Sequence, residues 1–299
     1  MFPGWKSAIG EGETLSPSEL QYNERCSRSA PNLSILNMAP RSDGNSQPYE
    51  CKRFGFTFLL IGQIWLHLIQ RKTYWHKIPE HLFKVGPASI VPVLLVNVLA
   101  GMIFTIQTAR QLEQFGAVNS VGGAFAVAFC RELAPILSAS VVAGQVGSAF
   151  AAELGAMKVT EQIDALYTLR TDPIDYLILP RVIACCGMMP ILIILGLACG
   201  ILGGSFAAYT FYKVLPALFL ESVRSFLEPA DLMRLLLKGS LFGGAVSTIS
   251  CGWGMTTEGG VKQVGESATA AVVISGVTIF VIDLVLSLLF GDLPMNEHK

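Results

Sequence analysis

The chain has 299 residues, 52% of them hydrophobic and 14% charged, with a mean hydropathy of +0.53. A soluble globular domain carries about 25% charged residues, so this composition is that of an integral membrane protein. A formal net charge of -1, with no basic run interleaved with aromatics, excludes the usual nucleic-acid-binding surface.

Residues 1–50 are rich in Ser, Pro, Asn and Gly and lack the periodicity of a packed helix or strand, so they read as a disordered tail. Within them RCSRSAPNLSILNMAPRS is Ser- and Arg-bearing without acids, as in an organelle transit peptide, but Glu11, Glu13, Glu19 and Glu24 precede it. Both readings stand. Over 54–70, Phe54, Phe58, Ile61, Trp65 and Leu68 recur at helical spacing, and Arg71, Lys72 and Lys77 follow at once. A helix lying in the membrane interface fits this short, interrupted run better than a span, which needs about 20 residues.

Five stronger apolar segments follow, over about 88–109, 121–151, 182–212, 232–255 and 268–290. The basic group Arg71, Lys72, Lys77 and Lys84 precedes the first span and belongs on the side of synthesis, cytoplasm or stroma. The polar loop 153–181 then returns to that side. Between the third and fourth spans, Leu215, Leu218, Phe219, Ser222, Val223 and Phe226 make one helical face, with Pro216 near the start and Pro229 closing it, which predicts a short amphipathic helix on the outer surface.

The seven cysteines, Cys26, Cys51, Cys130, Cys185, Cys186, Cys199 and Cys251, show no CxxC spacing and read as small buried hydrophobes. The four histidines make no HxxH or HxxxH pair, which argues against an intramembrane metalloenzyme. Residues 260–267 copy the glycine spacing of a phosphate-binding loop but put Glu266 where its Lys must be, so nucleotide binding would fall to a partner.

Arg131 and Glu132 lie in the first third of the second span. Ionisable groups at membrane depth cost about 2.5 to 3.5 kcal/mol each and face a partner, a cavity or water. They are either a structural pair or a polar patch in a substrate cavity. Ala139, Ala143, Gly144, Gly147, Ser148, Ala151 and Ala152, and Gly196, Gly200, Gly203 and Gly204 in the third span, are the small residues of close helix packing. In the polar loop Met157, Val159, Ile163 and Leu166 can share a face beside Thr160, Glu161, Gln162 and Asp164, and Asp172, Pro173 and Asp175 open the next helix as N-cap, N1 and N3.

The segments RELAPILSASVVAGQVGSAFAAELGAMKVTEQIDAL, DPIDYLILPRVIA and CGWGMTTEGGVKQVGESATAAVV resemble the MlaE family of ABC permeases, and most closely its chloroplast-envelope branch, the trigalactosyldiacylglycerol permeases. The resemblance covers about 75–290. It implies an all-α polytopic membrane protein with an interfacial helix and five spans, acting as a homodimer. ATP and Mg would sit on a separate cytoplasmic or stromal ABC ATPase, with no cofactor in this chain, and MCE-domain lipid-binding proteins would stand on the far side. The cargo implied is a glycerophospholipid, in the chloroplast branch phosphatidic acid or a related precursor for galactolipid synthesis. The location implied is the chloroplast inner envelope, or a bacterial or cyanobacterial inner membrane.

By the same resemblance 153–169 is a coupling helix, in which Glu153, Met157, Lys158, Glu161, Gln162 and Asp164 serve the ATPase, and Arg131 and Glu132 match paired charges near a lipid cavity. Gln107 matches a polar residue of the first span, and spacing sets Phe104, Gln107, Gln111 and Phe115 on one face that would line a lipid portal. Gln145 stands where many members have Arg, and GGVKQVG replaces the usual GGAKGVG at Gln263. From another class, an ATP-independent channel or secondary transporter could use Arg131 and Glu132 as an ion or proton relay.

Overall fold

The computed structural model describes residues 78–169 and 172–291, together with the single Gly55. The N-terminal tail, its transit-peptide reading and the interfacial helix expected over 54–70 lie outside the described residues. Every described element is helical. In chain order they are α1 (Ile78–Gln114), α2 (Val121–Val159), α3 (Gln162–Thr168), α4 (Ile174–Tyr212), α5 (Pro216–Phe226), α6 (Pro229–Met255) and α7 (Val261–Gly291). Five of these, α1, α2, α4, α6 and α7, are long and apolar enough to cross a membrane.

The helices overrun the apolar segments of the sequence because their polar first and last turns continue the backbone ladder. α6 begins at Pro229, whose missing N–H costs nothing at the first helical position. Its cap is a reciprocal box in which the Glu228 side chain accepts from the Asp231 backbone and the Asp231 carboxylate accepts from the Glu228 N–H at 3.2 Å. α4 opens with wider π-type turns over Ile174–Ile178, and the Asp172 carboxylate accepts the Ile174 N–H at 3.0 Å just ahead of them. α2 also carries π-type turns, at Ala126–Leu133 and Ala143–Gly147; such turns recur at functional positions.

α6 is the central element, packed on α2, α4 and α7, while α1 packs mainly on α4. Of the apolar window of α6, 67% is buried, against 28% for α1 and 22% for α7, so those two helices form the outer walls. Through their middle turns the exposed residues are apolar: Val91, Leu95, Leu99 and Ile103 on α1, Val273, Val277, Phe280 and Leu284 on α7. The α1–α4 seam depends on missing side chains, since a Cβ on Gly101 would strike the Gly200 backbone and one on Gly203 the Val98 backbone. Asn97 adds a polar link by donating Nδ2 to the Val93 carbonyl at 2.9 Å and to Ser138 Oγ at 3.0 Å. Gly147 and Ala151 pack on α6, at Ser250 and Gly254, whereas Gly144 faces open space.

The segment 153–169 is not one helix. α2 continues through Val159, Thr160 caps it, and Glu161 turns left-handed at φ 59° before α3 starts. The Thr160 hydroxyl donates to the Ala156 carbonyl at 2.8 Å and the Glu161 N–H to the Lys158 carbonyl at 3.1 Å, closing the end of α2. A glutamate at that position hides a break that a glycine would have announced. At the opposite end of the bundle α5 lies across the start of α2, burying Phe219 and Val223 and exposing Glu221 and Arg224.

Candidate functional site

Arg131 and Glu132 do not pair with each other. Each reaches across to α6, and Glu132 also meets α7 directly. Arg131 Nη2 donates to Asp231 Oδ2 at 2.8 Å, and Arg234 Nη1 meets Asp231 Oδ1 at 3.3 Å. Glu132 Oε2 accepts from Lys238 Nζ at 2.7 Å, and Lys238 also stands 2.8 Å from Asp283 Oδ1 on α7. Ser287 donates to Glu132 at 3.1 Å, and Lys238 adds bonds to Ser287 Oγ at 3.2 Å and to the Arg131 carbonyl at 3.3 Å.

The result is a network of Arg131, Arg234 and Lys238 with Asp231, Glu132 and Asp283, balanced in formal charge and drawn from three spanning helices. The side chains of Lys238, Asp231 and Asp283 are 4%, 3% and 10% exposed, whereas Arg131 and Glu132 are 36% and 42% exposed. A charge withdrawn from water needs paired partners in good geometry. The inner members have them, and the two outer members present a guanidinium and a carboxylate from consecutive residues of α2. Because α2 and α6 both start at the α5 end, the network lies nearer that end of the bundle than the α3 end.

The sequence reading singled out Arg131 and Glu132 but passed over Lys238, Asp231, Asp283 and Ser287. Lys238 and Asp283 were detectable, being ionisable residues inside spanning segments, where such groups face a partner or a cavity.

The portal residues separate. Phe104 turns inward against Phe125 and Phe129, with ring centroids 6.0 and 6.3 Å away, while Gln107, Gln111 and Phe115 are exposed. Gln107 prolongs the outer stripe of Leu95, Leu99 and Ile103, so the four do not line one surface. A cavity of about 530 Å³ opens elsewhere, at the α5 end, between Glu113, Val118, Tyr212, Lys213, Leu215 and Leu218.

At the α3 end Glu161, Gln162, Asp164 and Ala165 are exposed, and the buried Ile163 fastens α3 to the bundle. Lys158 Nζ meets Asp164 Oδ1 at 3.3 Å across the break, and Met157 is half-buried against the core. Glu153 lies farther back on α2, where its Oε2 accepts from Arg181 Nη2 at 2.9 Å. Gln263 also gains a role. Its Oε1 accepts the Gly260 N–H at 3.0 Å, so it caps the first turn of α7 behind Gly259, whose φ of 107° suits glycine alone. The loop-like glycine spacing of 260–267 is therefore mostly helix, and Glu266 there stands 3.8 Å from Lys262, both exposed.

A model of the Permease MlaE family matches residues 78–289. A probable ABC transporter permease protein of Synechocystis sp. is 46% identical over 250 residues, covering 84% of this chain and 95% of the relative. The chloroplastic protein TRIGALACTOSYLDIACYLGLYCEROL 1 of Arabidopsis thaliana is 37% identical over 302 residues, covering 97% of this chain and 86% of the relative. A probable ABC transporter permease protein of Pyropia yezoensis is 39% identical over 236 residues, or 79% and 90% of the two chains.

Proposed function

The chain belongs to the MlaE permease family, and on that premise we propose that it is the membrane-embedded, non-catalytic subunit of an ABC transporter that moves a glycerophospholipid, phosphatidic acid or a close precursor, for galactolipid synthesis. Two copies enclose the lipid path, a separate ATPase binds the exposed face of α3 and supplies ATP and Mg, and an MCE-domain protein hands lipid on at the α5 end. Similarity to a chloroplastic relative over 97% of the chain supports the chloroplast inner envelope as its membrane.

The observation that carries the reading is the exposure of Arg131 and Glu132 well inside a spanning helix. A guanidinium and a carboxylate that are 36% and 42% open cannot rest against hydrocarbon at an acceptable cost. A second protomer must cover that face or a polar cavity must bathe it. A cavity between protomers does both. There the guanidinium faces a lipid phosphate, the carboxylate accepts from headgroup hydroxyls or an amine, and acyl chains stay against apolar helix faces.

Affinity purification in mild detergent, followed by mass spectrometry of the bound proteins and lipids, tests it. The expected result is recovery of an ABC ATPase and a glycerophospholipid, with the lipid depleted by Arg131→Ala. Recovery of the chain without an ATPase, together with ion flux in proteoliposomes, would favour a channel or secondary transporter.

A further inference from the structure

A second ion pair, with its arginine buried and its glutamate exposed, lies at the opposite end of the bundle from the charged network. Arg181, 4% exposed, stands about two turns into α4. Its Nη2 donates to Glu153 Oε2 at 2.9 Å, and its guanidinium carbon lies 5.4 Å from the centroid of the Phe150 ring. Phe150 and Glu153 are three residues apart and share one face of α2. One side chain from α4 therefore grips α2 at two points about one turn apart, by an ion pair and by a cation–π contact. A single contact would leave a pivot; two oppose rotation of α2 against α4. His81 of α1 meets the same Phe150 ring edge-on, with centroids 6.4 Å apart, so the start of α1 joins the stack.

Stability alone is a poor reason for this arginine. Its Nε and Nη1 are buried with no hydrogen-bond partner among the described residues, and buried donors left unmade cost free energy. An apolar residue of similar volume would pack there at no such cost. The neighbouring α3 is short and is held by Ile163, by the half-buried Leu166 and by the Lys158–Asp164 pair. A force applied to α3 reaches the bundle through the end of α2 and the start of α4, and Arg181 joins those two ends.

We propose that Arg181 is a positioning residue that makes the α3 ends of α2 and α4 one rigid body, so that a displacement of α3 tilts both helices instead of flexing the turn between them. The proposal rests on the ABC-permease reading. It also gives Glu153 an internal task as the anion of the clamp, in place of contact with the ATPase.

The test is the permease reconstituted with its ATPase in proteoliposomes, with fluorescent phosphatidic acid as cargo, reading the lipid transferred per ATP hydrolysed. A merely structural role lowers both rates together through loss of folded complex and leaves that ratio unchanged. Arg181→Gln and Glu153→Gln are each expected to lower the ratio by at least about fivefold, and Arg181→Lys, which keeps the charge but not the planar stack, by less. An unchanged ratio in complexes that retain the ATPase overturns the proposal. Should Arg181→Gln fail to fold, Glu153→Gln decides alone, since that side chain is 43% exposed and the amide keeps the volume of the carboxylate. A wild-type complex that moves no lipid with ATP instead overturns the ABC reading itself and the clamp with it.

Discussion

Lys238 Nζ lies 2.7 Å from Glu132 Oε2, a contact that joins the first half of α6 to α2 inside the membrane-spanning region. The same ammonium holds Asp283 of α7 at 2.8 Å. One lysine thus neutralises two carboxylates from two other helices. Lys238→Met leaves both without their cation, and removing one member of a buried pair costs about 3–5 kcal/mol. The expected outcome is a large fall in the thermal unfolding midpoint in detergent. Adding Asp283→Asn should recover much of it, because the deeper uncompensated charge is then gone.

Substitutions at Glu161 should separate stability from function. Its left-handed backbone costs roughly 1–2 kcal/mol relative to glycine, and its side chain is exposed. Glu161→Gly should raise the unfolding midpoint yet weaken lipid-dependent stimulation of the ATPase, whereas Glu161→Lys should leave the midpoint near wild type and abolish stimulation. Full stimulation by the lysine variant, measured in the reconstituted complex, removes Glu161 from the ATPase interface.

Glycine substitutions should sort by the space at each site. Gly101→Ala drives a methyl into the Gly200 backbone, and overpacking of this kind costs about 1–3 kcal/mol. Gly187→Ala on α4 meets nothing within 4 Å and should be neutral or slightly stabilising. Denaturation of the two variants in the same detergent, side by side, reads the difference.

Gln263→Gly removes the acceptor of the Gly260 N–H. A lost cap of this type costs about 0.5–2 kcal/mol. Faster hydrogen exchange confined to the first turn of α7 is the expected signature, and unchanged exchange would show that the cap carries no weight there.

Much of the fold was legible from residue chemistry. The five spans follow from apolar length, α5 from the spacing of Phe219 and Val223 and from the two prolines, and the start of α4 from the Asp172 carboxylate. The candidate site was legible in part. An arginine and a glutamate within a span announce a polar cluster, and Lys238 and Asp283 carried the same signal. Their pairing was not available, because it depends on the relative heights of α2, α6 and α7, which no local pattern encodes. The break after Val159 was hidden for a different reason: Glu161 occupies a backbone conformation that its residue type rarely announces. Phe104 parts from Gln107, Gln111 and Phe115 because spacing on α1 alone cannot tell which residues meet Phe125 and which stay exposed.

The central claim is that ATP hydrolysed by a partner drives a phospholipid past the Arg131 and Glu132 face. The most direct measurement is transfer of fluorescent phosphatidic acid from proteoliposomes containing the complete complex, with and without ATP, and with Arg131→Ala. Transfer that requires ATP hydrolysis and falls sharply in the variant is the predicted result. Transfer that proceeds equally without ATP, or that follows an imposed proton gradient, would contradict it.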